Sequence, residues 1–245
     1  MVTIIDDGPI GAKKYYDGSG VRFHREDGPA IEWPNGDKEW YRDGERHRED
    51  GPAKECGGEE WWYRNGRLHC IGGPAITKPD GTKEWWLNGR LHRVGGPAIE
   101  RALGDKFWYK NGKCHRRDGA ALEYADGSRY WLLNGKRHRA DGPAVEHYVR
   151  GALEIEWWLN GKRHRADGPA MELINGYKCW YLNGAEYTEE EFIIRSRRMT
   201  LFSKQLNDLK AGLTISADGK KYKLQTFKTE IIEIDGKRYR LQEEQ

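Results

Sequence analysis

Histidines recur in step along the chain at His24, His47, His69, His92, His115, His138 and His164, each four residues before a glycine. A row of imidazoles invites a metal ion. Equivalent positions on successive hairpins, however, lie two strands apart, about 9–10 Å. Two such rings cannot share an ion that needs bonds near ~2.0–2.1 Å. The spacing instead predicts imidazoles that hydrogen-bond a turn backbone or a glutamate. Beside them stand Arg25, Arg48, Arg93, Arg116, Arg139 and Arg165. In phase with these run Glu32, Glu55, Glu100, Glu123, Glu146 and Glu172, and Asp27, Asp50, Asp118, Asp141 and Asp167. Matched basic and acidic rows predict ladders of ion pairs, each worth little where exposed. A basic stripe with aromatics could also track a phosphate backbone. The net charge of only +3 argues against a nucleic-acid partner. A nucleotide-sized ligand asks for less: one local pocket of arginine and aromatic rings. No P-loop, GxSxG or HExxH is present, so no catalytic residue, cofactor or metal is assigned.

The elements that position these rows can be read from the punctuation. Glycines of a DGPA-like string fall at Gly8, Gly28, Gly51, Gly73, Gly96, Gly119, Gly142 and Gly168. A fixed period of roughly 20–50 residues marks a solenoid or propeller. Trp40, Trp62, Trp85, Trp108, Trp131, Trp157 and Trp180 each stand three residues before a turn residue: Asp43, Asn65, Asn88, Asn111, Asn134, Asn160 and Asn183. Gly follows each of these, and Asn-Gly accepts the positive φ angles of a tight type I′ hairpin. Gly-Pro then breaks the return strand, and a second Asp-Gly or Asn-Gly turn follows, as at Asp126-Gly127. Aromatic content is 11 Trp and 13 Tyr against 5 Phe, with mean hydropathy −0.96. A thin, layered β protein with few aliphatics needs large buried side chains. The tryptophans are therefore expected to stack rung upon rung as the source of cohesion, with the small alanines of DGPA packed beneath them.

The chain string Tyr130 to Gly142, YWLLNGKRHRADG, resembles the MORN repeat, a hairpin of similar length. The resemblance covers roughly residues 6–186, and HRxDGPA stands where that family has its usual glycines. It looks like the divergent MORN-like arrays of bacteria, bacteriophages and large DNA viruses. The resemblance implies a mainly β fold, an elongated antiparallel β-hairpin repeat solenoid over residues 1–186. It also implies a binding scaffold, here one encoded by a virus to inhibit a host defence factor in the host cytoplasm. Residues 187–245 read as a C-terminal α+β cap or a homodimerisation element. Thr188 and Glu191 form a capping box, Phe192, Met199, Phe202, Leu206 and Leu209 share one helix stripe, and two hairpins follow.

Four scattered cysteines, Cys56, Cys70, Cys114 and Cys179, predict neither disulfides nor a zinc site. The absence of a signal-like or membrane-length apolar run points to a cytoplasmic protein with no membrane partner. Three functions are carried forward. The first is a non-enzymatic protein that binds a host protein. The second is a sponge for a nucleotide-type signal. The third is an enzyme at the junction of solenoid and cap. For the binding readings the site residues are Arg93, Arg116, Arg139 and Arg165 with Trp86, Tyr109 and Trp158. To these the irregular unit adds His147, Tyr148 and Arg150.

Overall fold

The computed structural model of the protein describes residues 3–6, 11–210, 215–217, 220–225, 232–234 and 237–243. The chain divides into two compact units. One holds residues 1–164 and 170–178, the other residues 165–169 and 179–245.

A single rung explains the first unit. Ile99–Glu100 turns at residues 101–105 and returns as Lys106–Phe107. Both strands belong to one long antiparallel sheet, with Ile99 opposite Phe107 and Phe107 opposite Leu122 of the next rung. At Trp108 the chain leaves that sheet, and its amide donates to the Ala121 carbonyl at 2.8 Å. Tyr109–Lys110 and Lys113–Cys114 then pair as a separate side hairpin. Its turn holds Asn111 at φ 51° and Gly112 at φ 78°, the left-handed geometry that Asn-Gly supplies at low cost. The His115 amide returns to the Trp108 carbonyl at 3.0 Å and the next rung begins. Rungs add in chain order, from Thr3–Asp6 paired with Lys13–Tyr16 through to Ala152–Glu156 paired with Met171–Glu172.

Strand alternation sorts the long sheet into two rows. One is a charged ladder, Glu100 opposite Lys106, Lys106 opposite Glu123, Glu123 opposite Arg129 and Arg129 opposite Glu146. Opposite charges directly across a strand pair are mutually stabilising. The other row carries Ile99, Phe107, Leu122, Tyr130 and Val145, with carboxylates at Glu39, Glu84 and Glu156. Those carboxylates bind the side hairpins: Glu39 accepts from the Tyr41 hydroxyl at 2.7 Å, Glu84 from the Trp86 Nε1 at 2.9 Å and Glu156 from the Trp158 Nε1 at 2.7 Å. Burial, then the Glu39 carboxylate, pushes the Tyr41 phenol up to about 12.

The buried row differs from the expectation. Ala30, Ala53, Ala75, Ala98, Ala121, Ala144 and Ala170 are fully buried. The tryptophans Trp40 to Trp157 are only half-buried, and arginines rather than neighbouring indoles cover four of them.

The second unit contains the hairpin of Lys178–Leu182 with Ala185–Tyr187 from residue 179 onward, and the helix α1, Glu189–Lys210. The helix starts on the expected capping box. The Thr188 amide donates to Glu191 Oε2 at 3.1 Å and the Glu191 amide to Thr188 Oγ1 at 3.2 Å. Phe192 is buried; the side chains of Met199, Phe202, Leu206 and Leu209 lie outside the described residues. Strands Ile215–Ala217, Lys220–Gln225, Lys237–Glu243 and Ile232–Ile234 form an antiparallel sheet. No helix among the described residues is long and apolar enough to cross a membrane.

Candidate functional site

The bends between side hairpin and long sheet are tied by an arginine, except where Cys70 replaces it. Arg116 lies with its Cζ 4.0 Å from the centre of the Trp108 ring. Its Nε donates to Asp118 at 3.1 Å, and its Nη1 to the Ala120 carbonyl at 3.1 Å and to Glu123 at 2.7 Å. Arg139 repeats this on Trp131, Asp141, Pro143 and Glu146. Arg48 repeats it on Trp40, Asp50, Pro52 and Glu55. In the first rung Arg25 lies over Tyr15 instead. A flat guanidinium suits this place, stacking on a ring while its rigid fork serves several acceptors. The recurring glycine makes the approach possible: a Cβ on Gly119 would stand 2.8 Å from the Arg116 Cζ. The Asp118 carboxyl is held below the ordinary range by its own backbone amide and by Arg116.

The histidines latch one rung to the next. The Asn134 amide donates to His115 Nδ1 at 3.1 Å, and Asn111 does the same to His92 at 3.2 Å. Asp43, Asn65, Asn88 and Asn160 use His24, His47, His69 and His138 alike. At His47, His69 and His92 the same Nδ1 also lies 2.7, 2.9 and 2.8 Å from the Oδ1 of that asparagine. These side chains bond turn backbone, as their spacing predicts. Among the described residues no three His, Cys, Asp or Glu side chains gather closely enough to hold a metal ion.

Beyond this repeated frame, one position per bend projects into solvent: Glu26, Glu49, Ile71, Val94, Arg117 and Ala140. Its chemistry changes from rung to rung, and Ile71 and Val94 are 78% and 85% exposed. Pockets open between successive bends. The pocket between the Arg25 and Arg48 bends, about 500 Å³, is lined by Glu26, Asp27, Glu49 and Asp50 as well as arginines. The one between the Arg93 and Arg116 bends, about 470 Å³, presents Arg93, Lys110, Arg116 and Arg117 against Asp118 alone. The one between the Arg116 and Arg139 bends, about 600 Å³, carries Asp118 and Asp141. The second unit holds a separate cleft of about 800 Å³ between Leu182–Tyr187 and the first turns of α1, where Arg195 covers the Tyr187 ring at 4.7 Å.

The site residues expected from sequence fall into separate groups. Arg93, Tyr109 and Arg116 line one pocket, and Arg116 shares the next with Arg139. Trp86 and Trp158 turn their indole nitrogens to Glu84 and Glu156 of the long sheet. In the second unit Arg165 donates to Asp167 and Pro169. His147, Tyr148 and Arg150 lie on a lengthened hairpin, Val145–Val149 with Ala152–Glu156, where Arg150 takes φ 50° in the turn. There the Tyr148 amide donates to Ser128 Oγ at 3.0 Å, and His147 stands 6.2 Å from the Tyr130 ring. The varying tips were missed at the sequence level. Their signal was the one changing letter inside HRxDGPA. A scan of family models finds no match to this chain, and a search of curated proteins finds no similar sequence, so the MORN-like resemblance rests on the quoted residues.

Proposed function

We propose that the protein is a non-enzymatic binding scaffold that docks a protein partner on its bend face. One observation carries this reading. The clamp, latch and alanine row are nearly constant along the array, while the exposed tip runs acidic at Glu26 and Glu49, apolar at Ile71 and Val94, and basic at Arg117. A frame that holds still while one outward position varies is a surface on which a specific partner can be read, because apolar centre and charged flanks are what protein interfaces combine. The resemblance to viral arrays suggests a host defence factor as that partner.

The test is capture by the tagged full chain from host lysate, with mass spectrometry of both proteins and metabolites. Ile71→Asp with Val94→Asp is expected to abolish capture of the specific partner and leave the melting temperature within about a degree, since exposed tips away from packing barely alter stability. A partner still captured at wild-type yield by that variant and by Arg117→Glu sinks the reading. A metabolite returned chemically altered would point to an enzyme instead.

A further inference from the structure

The pocket between the Arg93 and Arg116 bends departs from the others in a way that asks for an anion. Elsewhere the clamp arginine gives its Nε to the aspartate two residues on, at 3.0 Å in the first rung and 3.1 Å at Arg48 and Arg116. At Arg93 the position two on is Gly95, at φ 77°. The guanidinium is still held, by Trp85 at 3.6 Å, by the Pro97 carbonyl at 3.0 Å and by Glu100 at 2.6 Å. Both protein hydrogen bonds use Nη1, and among the described residues Nε has no acceptor. The frame therefore positions a charged donor whose usual carboxylate has been removed.

The neighbours add charge of the same sign. Lys110 and Arg117 line the same pocket and make no ion pair among the described residues. The single lining carboxylate, Asp118, is already taken by Arg116. Glu100 and Glu123 neutralise part of the charge of Arg93 and Arg116 through Nη1, which leaves Lys110 and Arg117 as the uncompensated cations.

We infer that this pocket binds the phosphate of a small phosphorylated molecule, seated on Arg93 Nε between Lys110 and Arg117. Phosphate fits better than carboxylate because its several oxygens can meet separate cationic arms at once. About 470 Å³ is room for a nucleotide-sized ligand. The inference does not rest on the protein-docking reading, although Val94 and Arg117 serve both; Ile71→Asp tests docking alone and Lys110→Ala tests the phosphate alone.

Calorimetric titration of the full chain at low salt with pyrophosphate and with adenosine diphosphate tests it. One saturable site per chain is expected for both, and tighter binding of the nucleoside diphosphate would add a ring contact to the phosphate contact. Lys110→Ala with Arg117→Ala, both on exposed side chains, should weaken binding roughly tenfold or more without moving the melting temperature. Gly95→Asp, which adds a carboxylate two residues after Arg93, should weaken binding; Asp tolerates this φ better than most residues. Arg42→Ala, in the carboxylate-rich pocket, should change nothing. No saturable binding, or an affinity unmoved by the Lys110/Arg117 double substitution, overturns the inference. So does equal loss on Arg42→Ala, which marks bulk electrostatics rather than a site.

Discussion

The bends at Arg139 and at Cys70 share their backbone hydrogen-bond ladder and differ in the clamp side chains laid over it. At the first, Trp131 donates to Ala144 at 2.8 Å, Ala144 to Glu156 at 2.9 Å and Arg139 to Trp158 at 3.1 Å. At the second, Trp62 donates to Ala75 at 2.7 Å, Ala75 to Glu84 at 2.8 Å and Cys70 to Trp86 at 3.2 Å. Yet the second has no clamp. Cys70 stands for the arginine, Gly72 for the aspartate and Thr77 for the glutamate. The guanidinium and its carboxylate partner have vanished together, as two halves of one interaction should. The rung is thus framed by backbone ladders, a buried alanine and a histidine latch, with the His69–Asn88 contact still in place at 3.3 Å. The arginine clamp strengthens that frame without defining it. That division lets bends change their surface chemistry while the array keeps its pitch.

The comparison breaks most sharply at the complete bend. Arg139→Ala removes three charge-assisted hydrogen bonds and the cover over Trp131, and leaves Glu146 half-buried without its cation. A loss of about 2–3 kcal/mol in denaturant unfolding is expected. A loss near zero would mean that the clamp is decoration at every rung. Glycine substitutions ask the same question from beneath. Gly119→Ala should cost about 1–2 kcal/mol, because the new methyl expels the Arg116 guanidinium lying against it. Gly73→Ala meets nothing nearer than the Cys70 sulfur at 3.7 Å, and should be neutral or slightly stabilising. Equal costs at the two glycines would show that the backbone, not the arginine, demands glycine there.

Rebuilding the clamp is the smaller, constructive test. Cys70→Arg alone places a guanidinium opposite Thr77 with no carboxylate to meet, and Thr77→Glu alone supplies a carboxylate with no cation. Together they should gain about 1 kcal/mol over the sum of the singles, read from a double-mutant cycle. Additive singles would deny that the pair is one unit.

These contrasts also explain what could be read from the letters. Repeat length, hairpin turns and histidine latches were legible because turn chemistry is local: Asn111-Gly112 needs positive φ wherever it sits. The capping box at Thr188 was legible for the same reason. The role of the indoles was not. Recurrence shows that Trp108 matters, but not whether the next indole or an arginine eight residues along the chain covers it. The alanines were expected beneath the indoles and are themselves the fully buried row. For the site, the sequence pointed to Arg93, Tyr109 and Arg116 as well as to the insertion at Arg150, but not to the missing charge that sets this pocket apart, Gly95 in RVGGPA against RADGPA. A missing carboxylate is visible in sequence only once its partner is known.

The least expected effect lies in the aspartates, and its sign follows from their titration. Asp27 and Asp118 are fully exposed, and each is held below its ordinary value near 3.8, Asp27 chiefly by Arg25 and Asp118 by its own amide and then Arg116. A carboxyl depressed in the folded state stabilises it above that ordinary value. The contribution fades as pH falls from 3.8 through the folded value. Asp118→Asn should therefore lower the melting temperature slightly at neutral pH and flatten its decline below pH 3.8. An equivalent change at the Arg93 bend cannot be made, because Gly95 offers no carboxylate to remove. If the variant instead keeps the full acid decline, the aspartates contribute nothing measurable and the clamp reduces to arginine, indole and glutamate.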